Sequence, residues 1–372
     1  MGNEIIPIKS VEIRNFRCVY HETVELDWFT VLIGKNDTGK TSVLDSLALV
    51  ADLHGQRSRR VEDAHELVSH GQFDATDAKL GHTLGVTITY ADGAGLGVDD
   101  IGSPSADSLS VLRVKLPSGE WQQGGSAAWA MMMDGGGSRK TNESKVLQVQ
   151  RRIADTPDAY RLNPARMREP AMTGVLKGAP LPSDGHGLVD ALVRMPHSTY
   201  GKLLRDYCKR IPEVSEVLRE SYAARGHIQE GTMEIRFRLK NGDEISARQA
   251  SDGAMLVLGF LALIMDKNPP QLILIEEPEN GVHPAQLQAL IESLIDLSIN
   301  QHRVQIVMTT HSPFVLDAVP AENIRVTTRT TNDGTKVHRF TGVADVKNKL
   351  GLGYSVGEAF VNMVDEVPEP VR

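Results

Sequence analysis

Nine consecutive residues, Gly34-Lys35-Asn36-Asp37-Thr38-Gly39-Lys40-Thr41-Ser42, carry the side-chain and backbone chemistry needed to hold a chain of phosphates. Gly34, Gly39, Lys40 and Thr41 satisfy the spacing G-x-x-x-x-G-K-[ST]. The glycines let successive backbone N–H groups turn inward around an anion, and the helix that follows adds its positive dipole end. Lys40 supplies a point charge for the β- and γ-phosphates, and the Thr41 hydroxyl is a ligand for Mg²⁺. All nine residues are expected to contact a nucleoside triphosphate.

Such a loop needs an acid to hold the metal and a base to act on water. Leu272-Ile273-Leu274-Ile275-Glu276-Glu277 offers both, as four apolar residues of a central strand ending in two carboxylates. Glu276 is expected to assist Mg²⁺, directly or through water, and Glu277 to orient or deprotonate the attacking water. A second strand-like run, 303–310, leads into His311-Ser312-Pro313. A histidine at the C-terminal end of a strand lies where sheets of this kind bind ligands, so His311 is expected to reach the γ-phosphate or the water. Ala250-Ser251-Asp252-Gly253 opens an apolar helix; by itself it is a good helix N-cap.

These residues require particular elements around them. The apolar run Phe29–Ile33 predicts a strand entering the loop, and Val43, Leu44, Leu47, Ala48 and Val50 predict a helix over 40–53. Alternation over 8–33 predicts short antiparallel strands, and Leu84–Tyr90 and Val111–Leu116 are strand-like. The glycine- and serine-rich stretch 91–140, with Met131-Met132-Met133-Asp134-Gly135-Gly136-Gly137-Ser138, reads as hairpin turns and loop. Residues 186–225 are helical in pattern, and 232–247 alternate as a hairpin turning at Asn241-Gly242. A helix over 252–266, a strand at 271–276, a helix at 284–299 and a strand at 304–309 follow. Strands alternating with helices imply a mostly parallel sheet covered on both faces.

Composition narrows the class. A chain of 372 residues with 41% hydrophobic and 24% charged residues matches ordinary globular composition and has room for two or three units. Its two cysteines, Cys18 and Cys208, do not make a disulfide framework and fit a reducing compartment. The first residues lack a basic segment followed by a long apolar one, and no stretch is long and apolar enough to span a membrane. The expected address is the cytoplasm, with no membrane partner. A net charge of −8 disfavours nonspecific attraction of the whole surface to nucleic acid. Residues 151–210 depart from that balance, with eleven Lys/Arg against six Asp/Glu, so a local nucleic-acid groove stays open beside a solvated helical face.

The series Ile13-Arg14-Asn15-Phe16-Arg17, the phosphate loop, Ser251-Asp252-Gly253, Glu276-Glu277-Pro278-Glu279-Asn280-Gly281-Val282-His283-Pro284 and Thr310-His311-Ser312-Pro313 resembles the ABC-type ATPase heads of the RecF/SMC/OLD superfamily. The likeness is strongest to the compact bacterial AAA family ATPases and covers about 1–50 and 235–320. It implies an α/β head with a mostly parallel sheet flanked by helices, an N-terminal antiparallel β subdomain and a helical signature lobe. It implies ATP and Mg²⁺ as ligands, and a head-to-tail dimer or higher assembly in which Ser251 and Gly253 amides meet the γ-phosphate held by the other copy. It also implies that Asn280 and His283 communicate between the two sites, that Arg17 approaches the nucleotide, and that Arg166 or Arg168 belongs to a phosphate- or partner-sensing segment. No glutamine in the middle region follows a strand in the way the family's Q-loop requires.

The expected organisation is β-strands and phosphate loop over 1–90, a loop-rich and helical insertion over 91–230, the signature, acid and histidine part of the core over 231–342, and a tail over 343–372 with a helix near 343–364. The segment of about 210 residues between loop and signature lacks heptads, so coiled-coil arms are not expected. The 61 residues after His311 are too few for a Toprim nuclease domain. Three functions stay open: an ATP-gated sensor or scaffold in bacterial genome defence acting through a separate effector such as a nuclease, a RecF-like repair clamp on DNA, and a nucleotide-dependent binding module that barely hydrolyses.

Overall fold

The chain begins with β1 (Ile8–Phe16), β2 (Val19–Glu25) and β3 (Phe29–Ile33), then passes through the glycine-rich loop into α1 (Lys40–His54). The strands β4 (Gly85–Tyr90), β5 (Gly95–Ile101), β6 (Leu109–Lys115) and β7 (Trp121–Gly125) follow. Next come α2 (Pro164–Met167), β8 (Ala171–Met172), α3 (Leu188–Arg194), α4 (His197–Arg210), β9 (Val214–Ser221), β10 (Thr232–Leu239), β11 (Glu244–Ser246) and α5 (Asp252–Ile264). The last part holds β12 (Leu272–Glu276), α6 (Pro284–Ile295), β13 (Gln305–Thr309), α7 (Pro313–Asp317), β14 (Ile324–Thr330), β15 (Gly334–Arg339), α8 (Ala344–Gly351) and α9 (Val356–Val364). This computed structural model describes residues 5–54, 84–101, 109–125, 148–153, 156, 159–172, 174, 180–221, 232–267, 269–330 and 333–364. The Met131–Ser138 stretch and the last eight residues lie outside them.

Near-continuous apolar runs favour strands buried on both faces, and the central sheet is built from three of them. Its order is β12-β13-β3-β14-β15, parallel except for the β14–β15 hairpin. The period of two along each strand sends alternate residues to two different cores. Leu32, Leu272, Leu274 and Val307 pack with α1 and the N-terminal sheet. Val31, Ile33, Ile273, Ile275, Ile306 and Met308 pack on the opposite face with α5 and α6. At about 1.5–3 kcal/mol for each fully buried aliphatic side chain, these two cores hold the sheet in place. Helix α5 is buried from Ala254 to Ile264, as a helix apolar all round must be.

The N-terminal antiparallel sheet, in the order β2-β1-β4-β5-β6-β7, leans on α1. The third sheet, β11-β10-β8 with β9 on β10, belongs to the lobe that carries α3, α4 and the start of α5. Three local expectations change. Residues 214–221, read as helical, form strand β9, because pairing from Val214 to Ser221 against β10 satisfies their backbone and sends Val214 and Val217 into the core. The tail helix is two helices, broken at Gly353, whose φ of +90° ends α8. Strand β12 is not central: it is the last full strand of its sheet, covered beyond by a single bridge from Tyr160 to Ile275.

Candidate functional site

Strand β3 delivers the loop and α1 removes it. Gly39 turns at φ +99°, and a Cβ there would sit 2.3 Å from Thr335 Oγ1. A Cβ on Gly34 would meet the Thr327 carbonyl and hydroxyl oxygens, each at 2.4 Å. The glycines are therefore required by β14 and β15, which back the loop. Thr38 is held in the same wall, donating to Lys35 O at 2.8 Å with its hydroxyl 2.6 Å from that of Thr327. Lys35, Asn36 and Asp37 are exposed, and Arg329 donates to the Asp37 carbonyl at 3.3 Å. Ser42 is buried, 3.3 Å from Cys18 Sγ.

Lys40 is 6% exposed, and its ammonium donates to the carbonyls of Gly34 at 3.1 Å and Lys35 at 2.9 Å. Burial pushes its pKa down, against the pull of Glu277 first and then Asp37, Glu276 and Glu279. A buried ammonium facing only loop carbonyls and distant carboxylates is well suited to receive an anion.

The alternation that buries Leu272 and Leu274 beside α1 turns Glu276 to the same side. There Thr41 donates its hydroxyl proton to Glu276 Oε1 at 2.6 Å. One hydroxyl and one carboxylate are hard oxygen donors of the kind Mg²⁺ prefers, so these two residues fit that ion and the loop fits the phosphates it would accompany.

Glu277 breaks the strand with φ +45°, a left-handed conformation costly for a residue with a side chain. Its N–H donates to Thr309 O at 3.0 Å, which ties the turn to β13. Its carboxylate accepts from Asn280 Nδ2 at 3.0 Å and lies 3.4 Å from His311 Nε2. The His311 backbone N–H in turn donates to Glu279 Oε1 at 2.7 Å. Glu277, Asn280 and His311 thus meet at the C-terminal ends of β12 and β13. His283 caps α6, its Nδ1 accepting from Ala285 N at 3.3 Å.

Other residues named from sequence stand apart. Ser251 caps α5, accepting from Ala254 N at 3.2 Å. A Cβ on Gly253 would lie 3.0 Å from Gly281 O, so the signature turn touches the segment after Glu277. Among the described residues no hydrogen bond joins Ser251 or Gly253 to the phosphate loop. Arg17, itself at φ +52°, is ion-paired with Asp45 on α1. Burial raises the Asp45 pKa, and Arg17 and then Arg161 oppose it.

Within residues 160–168 the sequence singled out Arg166 or Arg168 as part of a sensing segment, but it did not foresee that Arg161 meets Glu276 or that Arg168 meets the signature turn. Tyr160 lies beside β12, donating from its N–H to Leu274 O at 2.7 Å and accepting at its carbonyl from Glu276 N at 3.0 Å. Arg161 is ion-paired with Glu276 through Oε2. Asn163 caps α2, accepting from Ala165 N at 2.9 Å. Arg168 donates to Ala247 O at 3.0 Å, Ala250 O at 2.8 Å and Asp252 at 2.6 Å, and so grips the turn before the signature helix. Arg166 instead pairs with Asp184 and Glu169. A cleft of about 520 Å³ opens between Arg161, Asn163, Asp252, Glu276, Glu277 and Asn280. The sequence signal available was Asn163-Pro164, an N-cap followed by proline at the first helical position.

Two family models match, over separate stretches of the chain. The model described as "AAA domain, putative AbiEii toxin, Type IV TA system" matches residues 197–317, and that described as "AAA ATPase domain" matches residues 7–95. Among curated proteins, the mitotic chromosome and X-chromosome-associated protein mix-1 of Caenorhabditis elegans is 31% identical over 83 residues, 19% of this chain and 7% of that protein. The match therefore spans a small fraction of that relative's length. In fold, the chain is similar to an SMC head bound to the C-winged helix domain of ScpA, at TM-score 0.53 and 12% identity, over 89% of this chain and 96% of that one. It is also similar to an Smc head with an extended coiled coil bound to the C-terminal domain of ScpA derived from Pyrococcus furiosus, at TM-score 0.51 and 10% identity, over 93% of this chain and 100% of that one. No helix among the described residues is long and apolar enough to cross a membrane. AAA family models thus match residues 7–95 and 197–317, and the fold of the chain is similar to that of SMC head domains.

Proposed function

We propose that the chain binds and hydrolyses Mg²⁺-ATP at a site completed head to tail by a second copy, and that this cycle gates a sensor or scaffold in bacterial antiviral defence with a separate effector. The observation that carries the reading is the division of the site. Lys40, Thr41, Glu276, Glu277 and His311 converge at one sheet edge, whereas Ser251 and Gly253 make no hydrogen bond to the phosphate loop among the described residues. A second copy could present its signature turn to the exposed side of the loop.

In this scheme Lys40 exchanges its two carbonyl partners for phosphate oxygens, and Thr41 and Glu276 hold the metal. When bound, Mg²⁺ supplies charge neutralisation at the phosphates. Glu277, steadied by Asn280, takes the proton of the attacking water, and His311 contacts the γ-phosphate or that water. The N–H groups at the start of the second copy's α5 stabilise the charge on the transferred phosphoryl group.

The matched description naming an AbiEii toxin supports a defence role, and the ScpA-bound heads support a separate polypeptide as effector. A DNA clamp is the second reading, favoured by the exposed Lys202, Arg205 and Lys209 on α4. It is weakened because Arg152, Arg161, Arg166, Arg168, Arg194 and Arg210 are all engaged within the chain. DNA affinity falling steeply with salt would restore it.

The test is phosphate release together with native mass in Mg²⁺-ATP. Lys40→Met is expected to lose nucleotide binding; Glu277→Gln is expected to keep it, stop turnover and accumulate the ATP-bound assembly. Turnover by Glu277→Gln at the wild-type rate would refute the assignment. A second polypeptide captured with Glu277→Gln from its own cells favours the scaffold, and two copies alone favour a clamp.

A further inference from the structure

Both oxygens of the Glu276 carboxylate are engaged: Oε1 accepts from Thr41 at 2.6 Å and Oε2 carries the Arg161 guanidinium. The two partners differ in freedom. Thr41 sits in the first turn of α1, and the Glu276 side chain is only 12% exposed, whereas that of Arg161 is 60% exposed. The Arg161 backbone cannot drift, because Tyr160 before it is pinned to β12 by two main-chain hydrogen bonds. Its side chain can turn, because it borders the 520 Å³ cleft shared with Asn163, Glu277 and Asn280.

The local charges make this pairing consequential. Asp45, one turn after Thr41 on α1, is engaged by Arg17, and its pKa feels both Arg161 and Glu276. Two carboxylates are thus balanced by two guanidiniums. A dication held by Thr41 and Glu276 would lie close to the Arg161 guanidinium, and like charges at that separation repel strongly in a partly buried site. The two cations therefore compete for one carboxylate.

Resting on the nucleotide-site reading above, we propose that Arg161 is a resident counter-cation of Glu276 that a divalent metal must displace. Metal binding at this site is then an exchange. The guanidinium leaves Oε2 and turns into the cleft, where the phosphates of a bound nucleotide are the anion that compensates it. Without nucleotide the displaced guanidinium meets only the cleft carboxylates Asp252 and Glu277, which Arg168 and Asn280 with His311 already engage, so the empty site disfavours free metal. Arg161 acts through Glu276 and is a positioning residue.

The experiment is Mn²⁺ binding to nucleotide-free protein, followed by electron paramagnetic resonance of the free ion. Each variant is also tested for metal-free binding of a fluorescent ATP analogue and for its melting curve. Arg161→Met is expected to bind Mn²⁺ about tenfold more tightly than wild type, the equivalent of one charge-assisted hydrogen bond no longer lost on exchange. Arg161→Lys, which keeps a cation there, is expected to stay within threefold of wild type. Adding Glu276→Gln to Arg161→Met should abolish the gain. Unchanged or weaker Mn²⁺ binding in a folded, nucleotide-binding Arg161→Met protein would overturn the exchange. A merely structural Arg161 would lower the melting temperature without tightening Mn²⁺, which also overturns it. Failure of the wild type to bind the ATP analogue would strike the nucleotide-site reading instead.

Discussion

Arg168 offers a test of whether the signature turn must be held in one geometry to work. Its guanidinium gives two hydrogen bonds to main-chain carbonyls, at 3.0 Å to Ala247 and 2.8 Å to Ala250, and one at 2.6 Å to the Asp252 carboxylate. The Arg168 side chain is 17% exposed and that of Asp252 is 65% exposed, so the ion pair itself contributes little, roughly 0.5 kcal/mol after solvent screening. Each carbonyl bond from a cation is worth about 1–1.5 kcal/mol. Arg168→Met, which keeps much of the apolar stem, should therefore cost about 2.5–3.5 kcal/mol. At roughly 2–4 °C per kcal/mol for larger domains, the melting temperature should fall by about 5–14 °C. Function should change more selectively than stability. Single-copy ATP binding, which depends on Lys40 and Thr41, should stay within about threefold, since the lost bonds are not at the loop. ATP-driven self-association and phosphate release should fall at least tenfold, since about 1.4 kcal/mol of lost positioning has that effect. Arg168→Lys should recover little, because a single ammonium cannot bridge two carbonyls in a fork. Turnover within twofold of wild type in a folded Arg168→Met protein would refute the argument; so would loss of ATP binding in parallel with turnover.

Two further perturbations test other parts of the structure. Gly39→Ala should lose ATP affinity and about 2–4 kcal/mol of stability, combining a φ of +99° with a Cβ 2.3 Å from Thr335 Oγ1. Thr335→Ala should rescue the steric share but not the backbone share in a double-mutant cycle, and strictly additive effects would refute the contact. His54 is buried, with Nε2 directed to Gly97 O at 3.2 Å and Nδ1 3.3 Å from Gln150 Nε2, and burial pushes its pKa down to about 4. Its folded pKa lies below the unfolded value of about 6.5, so its contribution is complete above pH 6.5 and is lost as the pH falls toward 4. The loss is at most about 3 kcal/mol. Urea midpoints for wild type and His54→Gln should converge across that window, and parallel profiles would exclude the histidine as the cause.

Local sequence was sufficient wherever a short segment carries its own geometric demand. Gly34, Gly39, Lys40 and Thr41 require a phosphate-sized turn, and an apolar run ending in Glu276-Glu277 requires a buried strand opening into a polar site. Strand alternation also places Glu276 on the α1 side, where Thr41 meets it. Periodicity failed at 214–221, because the choice of strand rests on pairing with β10 rather than on any local preference.

What tertiary structure alone decided is which distant segments meet. Nothing in the composition of 324–339 announces that Thr327 and Thr335 are the reason Gly34 and Gly39 cannot carry side chains, since nearly 300 residues separate them. Arg161 and Arg168 stand seven residues apart among many other cations, yet one reaches Glu276 and the other reaches the signature turn. Their roles come from Tyr160 joining the edge of β12 and from the α2 turn capped by Asn163. A charge acquires its function from the partner the fold brings within a few ångströms, and one-dimensional spacing does not encode that distance.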